Sequence, residues 1–263
     1  MLKLSANLST LMTSLPLAER WAQAAGAGFA AVEIQFPYEA GLAEIRRLRD
    51  THRLPLALIN VPAGDLMAGG AGLAAHPARI REFADALDTA CRWTETLTVP
   101  AVNVLAGRLP AGVDPRHAMD TLCDNLALAA ARLADAGARC TFEAINRYDM
   151  PGFLIDSTAA MLAVQERVGH ANLWWQYDVY HMARMGEDVL ADLAAYWPRI
   201  GHLQFADTPA RGAPGSGDFP FGKLWPLIAQ LPYPFYSGAE YRSTADGFKW
   251  FHALSQIDFH QRN

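Results

Sequence analysis

Two patterns of hydrophobic and polar positions alternate along the chain. Short runs of aliphatic, aromatic and β-branched residues predict strands, and longer stretches with apolar residues three or four positions apart predict amphipathic helices. The predicted strands cover residues 3–8, 29–34, 54–60, 101–105, 139–143, 173–178, 200–205 and 235–240. The predicted helices cover residues 15–25, 38–51, 76–97, 116–136, 157–168, 186–196, 224–230 and 244–254.

Eight strand–helix units within 263 residues favour a single (β/α)8 TIM barrel of the α/β class. Such barrels typically need about 250 residues, so one barrel would use the whole chain. An open doubly wound sheet is the alternative, but no glycine-rich dinucleotide fingerprint follows the first strand. Because no linker or change in composition divides the chain, we predict one domain over residues 1–263. The polar tail 256–263 is a candidate for disorder.

Composition and charge exclude several classes of protein. Hydrophobic residues make up 51% of the chain, which suits one sizeable core. The net charge of −5, without a basic block, argues against a nucleic-acid partner. No apolar run reaches the roughly 18 residues of a membrane span, and the first residues are too polar for a signal peptide. The three cysteines are far apart and form no CxxC pair, so we expect a reduced, cytoplasmic setting.

Four consecutive predicted strands end in an oxygen-bearing side chain: Glu143, Asp178, Gln204 and Glu240. In a barrel the carboxyl ends of all strands meet at one face, so these side chains would converge. Three carboxylates packed together repel one another unless a cation lies among them. An all-oxygen set of ligands suits Mg²⁺ or Mn²⁺ rather than zinc. Each residue alone is more simply interpreted as a polar strand end, and the metal-site hypothesis depends on all four.

Three further residues lie near these strand ends. His181, three residues after Asp178, could hydrogen-bond a substrate hydroxyl or carbonyl, or could be an ordinary helix-terminus or loop histidine. Arg211 follows the seventh strand and is either a clamp for an anionic substrate group or a solvated loop residue. His202 shares a strand face with Gln204, and we interpret it as a buried core histidine.

Other polar residues are weaker candidates. Asp149 lies in the loop after the fifth strand, where it could line the site or pair with Arg147. Asn60, Asn103 and Gln35 are polar strand ends that could bind substrate oxygens. None of these residues defines a site by itself.

The sequence motifs around these residues resemble the hydroxypyruvate isomerase family, within the xylose-isomerase-like barrels. The resemblance covers nearly the whole chain. Its motifs are SANLS at 5–9, FPY at 36–38, NVPAGD at 60–65, FEAIN at 142–146, DMPGF at 149–153, QYDVYHM at 176–182, IGHLQFAD at 200–207, Arg211 with PGSG at 214–217, and GAEY at 238–241.

The resemblance implies a metal-dependent isomerase that acts on a small hydroxy-oxo acid. Its metal would be held by Glu143, Asp178, Gln204 and Glu240, with Glu143 and Glu240 as the pair that accepts and donates the proton. His181 and Arg211 match positions that contact substrate in related sugar epimerases. The implied reaction interconverts hydroxypyruvate and tartronate semialdehyde through an ene-diolate, and we expect Asn60 and Asp149 to assist substrate binding.

The chain departs from the family pattern beside the implied metal set. Gly212-Ala213 stand where a His-Glu pair is usual, Asp218 where Glu is usual, and Arg242-Ser243 where Lys-Pro is usual. These departures leave open a 2-oxo-tetronate isomerase or a ketose epimerase as alternatives. A metal-dependent nuclease or lyase is a further alternative, and the nuclease would require more histidine ligands and a basic surface. A non-catalytic metabolite-binding barrel is the alternative of another class, and the intact pair of glutamates argues against it.

Association with a second copy is a separate question. Apolar residues near the seventh loop, Phe219, Phe221 and Trp225, could mediate a homo-oligomer or could cover the pocket. Both alternatives stay open from the sequence.

Overall fold

The computed structural model describes residues 2–242 and 248–255. Eight parallel strands form a closed barrel in which each strand pairs with the next and β1 pairs with β8. The strands are β1 Lys3–Asn7, β2 Ala31–Glu33, β3 Leu56–Asn60, β4 Ala101–Val104, β5 Arg139–Glu143, β6 Leu173–Asp178, β7 Ile200–Phe205 and β8 Tyr236–Ala239. The predicted (β/α)8 barrel is therefore confirmed, and the open doubly wound sheet is wrong.

Helices lie between the strands, as the 3.6-residue periodicity predicted. They are α1 Leu17–Ala27, α2 Leu42–His52, α3 Ile80–Leu97, α4 Pro115–Asp135, α5 Thr158–Val168, α6 Val179–Met185, α7 Val189–Tyr196, α8 Phe221–Gln230 and α9 Lys249–Ser255. The predicted helix over residues 38–51 is divided, because Gly41 adopts φ +79° between a 3-10 turn and α2. The predicted tail 256–263 and the start of the predicted last helix lie outside the described residues.

Helix α6 was not predicted, and it changes the setting of His181. The helix begins at the residue directly after β6 ends, so the sequence contains no turn signal between them. Asp178 ends the strand and also caps the helix, because its Oδ1 accepts a hydrogen bond of 2.8 Å from the Tyr180 N–H. His181 therefore lies in the first turn of a helix, which agrees with a helix-terminus position and not with a loop.

The interior of the barrel carries a buried polar layer below its mouth. Glu33 at the end of β2 is the centre of this layer and is fully buried. Gly238 in β8 makes room for it, since a Cβ at that position would lie 2.2 Å from Glu33 Oε1. His202 is buried in the same layer, as predicted. The other members of the layer are Ser5, Asn7, Gln176 and Gln204.

Aromatic residues of the last third of the chain pack α8 and α9 against β7. Phe205 has its ring 5.0 Å from that of Trp225 and 5.4 Å from that of Trp250. Phe221 and Trp225 are buried, so they offer little surface to a second copy, and the homo-oligomer stays a prediction. Phe219 is partly buried and packs on Phe221 at 5.0 Å.

Two further expectations concern the setting of the chain. The three cysteines, Cys91, Cys123 and Cys140, are all free thiols. Among the described residues, none of the helices combines the length and the apolar character that crossing a bilayer requires.

Candidate active site

Three carboxylates lie at the carboxyl-terminal ends of strands of the barrel. Glu143 ends β5, Asp178 ends β6 and Glu240 directly follows β8, with exposed fractions of only 5%, 2% and 3%. One oxygen of Glu143, one oxygen of Asp178 and one ring nitrogen of His181 lie within 4.8 Å of one another. The structure thus joins two of the four predicted metal ligands to a histidine that we had assigned to substrate.

Arg211 connects this group to Glu240. Its Nη2 donates a hydrogen bond of 2.8 Å to Glu240 Oε1 and lies 3.6 Å from Asp178 Oδ2. The same Glu240 oxygen accepts a 2.8 Å hydrogen bond from Gln35 Nε2. The guanidinium lies 5.1 Å from the Tyr180 ring, and 18% of the Arg211 side chain is exposed. Arg211 therefore bridges two carboxylates at the edge of solvent.

A loop built around Asp207 holds Arg211 in this position. Arg211 adopts φ +57°, and its carbonyl accepts a 2.8 Å hydrogen bond from the Arg242 N–H. Asp207 is buried, and its two carboxylate oxygens accept hydrogen bonds of 2.8–3.0 Å from four backbone N–H groups of the loop. These donors belong to Thr208, Gly215, Gly217 and Phe219. The backbone that carries Arg211 is thus fixed by one buried acid.

The surroundings shift the pKa values of Glu143, Asp178, Glu240 and His181. Burial raises the pKa of Glu143 to about 7, and the charge of Asp178 raises it as well, against a 2.8 Å hydrogen bond from Asn103. Burial raises the pKa of Asp178, and it raises that of Glu240 well above its ordinary value, while Arg211 opposes both changes. Burial, helped by the charge of Arg211, lowers the pKa of His181 well below its ordinary range, so the imidazole is neutral.

The donor set fits a divalent cation. When all three carboxylates are ionised, one guanidinium leaves two negative charges in a buried space, and a divalent cation would compensate them. Carboxylate oxygens are the ligands that Mg²⁺ and Mn²⁺ prefer. Glu143 and Asp178 are the acids of the close group, and they would hold such an ion.

The other two predicted ligands have partners within the protein. Gln204 Oε1 accepts a hydrogen bond of 2.8 Å from Gln176 Nε2, and Gln204 Nε2 donates one of 2.8 Å to Glu33 Oε1. An amide oxygen has two lone pairs, so Gln204 can still bind a second group. The metal-binding roles of Gln204 and Glu240 stay predictions.

The residues predicted to bind substrate differ in how their polar atoms are used. Asn60 is buried, and within the described part of the chain its Oδ1 has no hydrogen-bond partner. Asp149 is exposed, and its Oδ2 accepts hydrogen bonds from Asn146 Nδ2 at 3.2 Å and from the Tyr180 hydroxyl at 2.9 Å. Arg147 pairs with Asp156 at 3.8 Å, so the expected ion pair with Asp149 does not form. Asn60 is the better placed of the two to receive a ligand.

Several residues of the site escaped the sequence analysis. Asn103 and Gln35 were only weak candidates, yet they bond Glu143 and Glu240 directly. Glu33, Gln176 and Asn146 were not proposed at all. Glu33 could have been found by extending the strand-end rule to β2, because it is the last residue of that strand. Asn146 carried no such signal, since it lies in a loop.

Comparisons with known proteins show which family this chain resembles. A family model described as xylose isomerase-like TIM barrel matches residues 21–255. Hydroxypyruvate isomerase of Escherichia coli strain K12 is 37% identical over 253 residues, which cover 95% of this chain and 98% of that protein. 2-Oxo-tetronate isomerase of Cupriavidus necator is 36% identical over 251 residues, or 94% of this chain and 96% of that protein.

The chain is also similar to solved structures. A crystal structure titled AP endonuclease, family 2, from Brucella melitensis superposes with a TM-score of 0.92 at 31% identity, covering 96% of this chain and 99% of that one. The 3-keto-D-glucoside 4-epimerase of Escherichia coli superposes with a TM-score of 0.79 at 18% identity, covering 96% and 100%. The second likeness concerns the fold alone.

Proposed function

Because this chain belongs to the xylose isomerase-like TIM barrel family, we propose that it is a metal-dependent isomerase that interconverts hydroxypyruvate and tartronate semialdehyde. The observation that carries the proposal is the pair of buried glutamates at the barrel mouth. Glu143 lies in the close group with Asp178, and Glu240 is linked to Asp178 through Arg211. Similarity over nearly the full length of a hydroxypyruvate isomerase supports the same reaction.

The proposed reaction moves a proton between neighbouring carbons. A base removes it from the hydroxyl-bearing carbon next to the carbonyl, which leaves an ene-diolate, and an acid returns it to the former carbonyl carbon. The hydroxyl proton moves to the former carbonyl oxygen, so the hydroxyl and carbonyl groups exchange places. Without a metal ion, burial raises the pKa of Glu143 to about 7, and a bound cation would lower it again and keep the carboxylate ionised as a base. Glu143 and Glu240 are the proposed proton-transfer pair. A bound divalent cation would supply electrophilic stabilisation of the negative charge that develops.

The remaining residues would bind and orient the acid. The Arg211 guanidinium is in reach of solvent and can meet an anionic group of the substrate. The unpartnered Oδ1 of Asn60 can accept a hydrogen bond from a substrate hydroxyl. Neutral His181 can donate a hydrogen bond to a substrate oxygen without adding a positive charge.

A four-carbon substrate is the second candidate. The 2-oxo-tetronate isomerase is nearly as similar to this chain as the hydroxypyruvate isomerase, at 36% against 37% identity. The family usually has a His-Glu pair beside Arg211, and this chain has Gly212-Ala213. Such a difference in side-chain size would affect which substrates fit beside Arg211. The nuclease title of the Brucella structure carries less weight, because a net charge of −5 does not favour binding of a polyanion.

A turnover assay on metal-stripped protein tests the proposal. We expect no conversion of hydroxypyruvate without metal, and formation of tartronate semialdehyde when Mg²⁺ or Mn²⁺ is restored. Glu240→Gln is the matched variant, and we expect it to fold normally and to lose about 10³-fold or more in kcat, because it lacks one proton-transfer group. Turnover near the wild-type rate in this variant would contradict the assignment of Glu240.

The same assay separates the alternatives. Activity on a four-carbon oxo acid or a ketose, but not on hydroxypyruvate, would keep the mechanism and change the substrate. Tight metal binding without turnover of any of these compounds would favour the metabolite-binding barrel.

A further inference from the structure

The His181 imidazole is buried between two polar groups that make different demands on it. Its Nε2 faces the site and lies 3.5 Å from Asp178 Oδ2. Its Nδ1 faces the loop after β5, where Asn146 Nδ2 lies at 2.7 Å. A neutral imidazole carries one proton, so the group opposite each nitrogen decides which nitrogen carries it.

The orientation of the Asn146 amide is fixed by its own loop. Asn146 Oδ1 accepts hydrogen bonds from the backbone N–H of Tyr148 at 3.1 Å and of Asp149 at 2.9 Å. Its Nδ2 donates to Asp149 Oδ2 at 3.2 Å. The opposite orientation would set an NH₂ group against two N–H donors and a carbonyl oxygen against a carboxylate. The atom that faces His181 is therefore a nitrogen that donates.

Two donors thus point at the same ring nitrogen. The second Nδ2 proton of Asn146 reaches His181 Nδ1 at 2.7 Å, and the backbone N–H of Asn146 reaches it at 3.4 Å. A nitrogen approached by donors must present its lone pair. The His181 proton consequently lies on Nε2, directed at Asp178 and the mouth of the barrel.

We propose that Asn146 is a positioning residue that holds His181 in the Nε2–H tautomer. In this form His181 donates a hydrogen bond to a substrate oxygen and does not bind the metal ion. A metal on Nε2 would need the lone pair there and the proton on Nδ1, opposite the two donors. The substrate part of this inference rests on the proposed function, whereas the tautomer does not.

A second contact ties the loop to the helix that carries His181. The Tyr180 hydroxyl donates to Asp149 Oδ2, the same oxygen that accepts from Asn146. Tyr180 and His181 are neighbours in α6, so the helix and the loop are held together on both sides of the imidazole. This arrangement keeps Nδ1 in reach of Asn146 without requiring a ligand in the site.

Nitrogen NMR of the metal-free protein tests the tautomer directly. Two-bond ¹⁵N–¹H correlation spectra distinguish a protonated ring nitrogen from an unprotonated one, and the His181→Asn variant assigns the signals. We expect Nε2 protonated and Nδ1 unprotonated in the wild type. Asn146→Asp keeps an oxygen for the loop but turns the group facing Nδ1 into an acceptor, so we expect Nδ1 to become protonated. Identical His181 signals in the wild type and in Asn146→Asp would overturn the proposal. A proton on Nδ1 in the wild type would overturn it as well.

Two further variants separate positioning from folding and from metal binding. Asn146→Ala removes the side-chain donor, and we expect kcat to fall about 10- to 100-fold while the affinity for Mn²⁺ stays unchanged. A parallel loss of Mn²⁺ affinity would show that His181 binds the ion and would overturn the proposal. Tyr148→Phe is the control in the same loop, with wild-type values expected for both quantities. Because NMR reads the tautomer without substrate, absence of turnover in the wild type would count against the proposed function alone.

Discussion

The barrel contains two groups of buried acidic side chains, and the two groups differ in the hydrogen-bond donors around them. Glu33 is fully buried, and four side-chain donors surround its two oxygens at 2.7–3.2 Å. These donors are Ser5, Asn7, His202 and Gln204. Glu143, Asp178 and Glu240 are nearly as buried, yet Glu143 lies close to Asp178, and Asp178 and Glu240 share the guanidinium of Arg211.

The difference shows that burial alone does not determine the cost of a carboxylate in the interior. A buried carboxylate is tolerated where hydrogen-bond donors replace the lost water, and the layer around Glu33 supplies them. At the mouth the donors are fewer, so burial raises the pKa values of Glu143, Asp178 and Glu240, and nearby like charges add to the rise for Glu143 and Glu240. The layer around Glu33 satisfies its acid within the protein, whereas the proposed function would use the acids at the mouth to hold a cation and to transfer a proton.

The largest effect on stability is expected from Glu33→Gln. Glu33 Oε1 accepts from Asn7 and Gln204, and Oε2 accepts from Ser5 and His202. An NH₂ group at the first position would oppose two amide donors, and at the second it would require the Ser5 hydroxyl and the His202 ring to become acceptors. We expect the free energy of unfolding to fall by about 3–5 kcal/mol, as when a buried polar network loses one partner. Urea denaturation measures this loss.

The control for this prediction is Glu44→Gln. The Glu44 carboxylate also pairs with a cation, Arg47 at 2.7 Å, but on the surface of α2. We expect no measurable change in stability for this variant. A loss for Glu33→Gln no larger than that of the control would remove the contrast between the layer and the mouth.

A smaller effect, of opposite sign, is expected from Glu143→Gln in metal-free protein. Burial raises the pKa of Glu143 from its ordinary 4.5 to about 7. Between these values the folded state binds more protons than the unfolded state, so stability is full below about pH 4.5 and is lost as pH rises through about 7. The loss is about 3 kcal/mol by the usual 1.36 kcal/mol per unit of pKa.

The measurement is the difference in unfolding free energy between wild type and Glu143→Gln from pH 4.5 to 8. We expect the variant to be the more stable protein at pH 8, and added Mg²⁺ or Mn²⁺ to abolish its advantage by stabilising the wild type. Parallel pH profiles for the two proteins without metal would mean that the surroundings do not raise the pKa of Glu143.

Sequence patterns predicted the barrel and the positions at which its acids lie. Period and length identified the eight strands, and the rule that strand ends carry chemistry selected Glu143, Asp178 and Glu240. Periodicity contains no information on which side chains meet across the barrel. Glu33 bonds Gln204 although 171 positions separate them, and Gln35 meets Glu240 across 205. Such contacts determine that Glu33 has a full set of hydrogen-bond donors and that the acids at the mouth do not.

Local structure limited the prediction in a second way. The role of His181 depends on α6 beginning without a turn, and on a loop in which Asn146 directs its amide nitrogen at the ring. Asx turns of this kind leave only a weak trace in a single sequence, because Asn is common in many loops. The residue that orients His181 was therefore found only from its hydrogen bonds.

The smallest expected effect comes from Arg211→Ala, which removes the positive charge shared by Asp178 and Glu240. If Arg211 meets an anionic substrate group, KM should rise about tenfold, or about 1.4 kcal/mol. Binding of Mn²⁺ should be equal or tighter, because the acids lose a competing cation. Arg211→Lys is the control, and it should recover part of the affinity, since it keeps the charge without the planar fork. An unchanged KM would make Arg211 only a counter-ion of the mouth cluster, and weaker Mn²⁺ binding would mean that it positions the metal-binding acids.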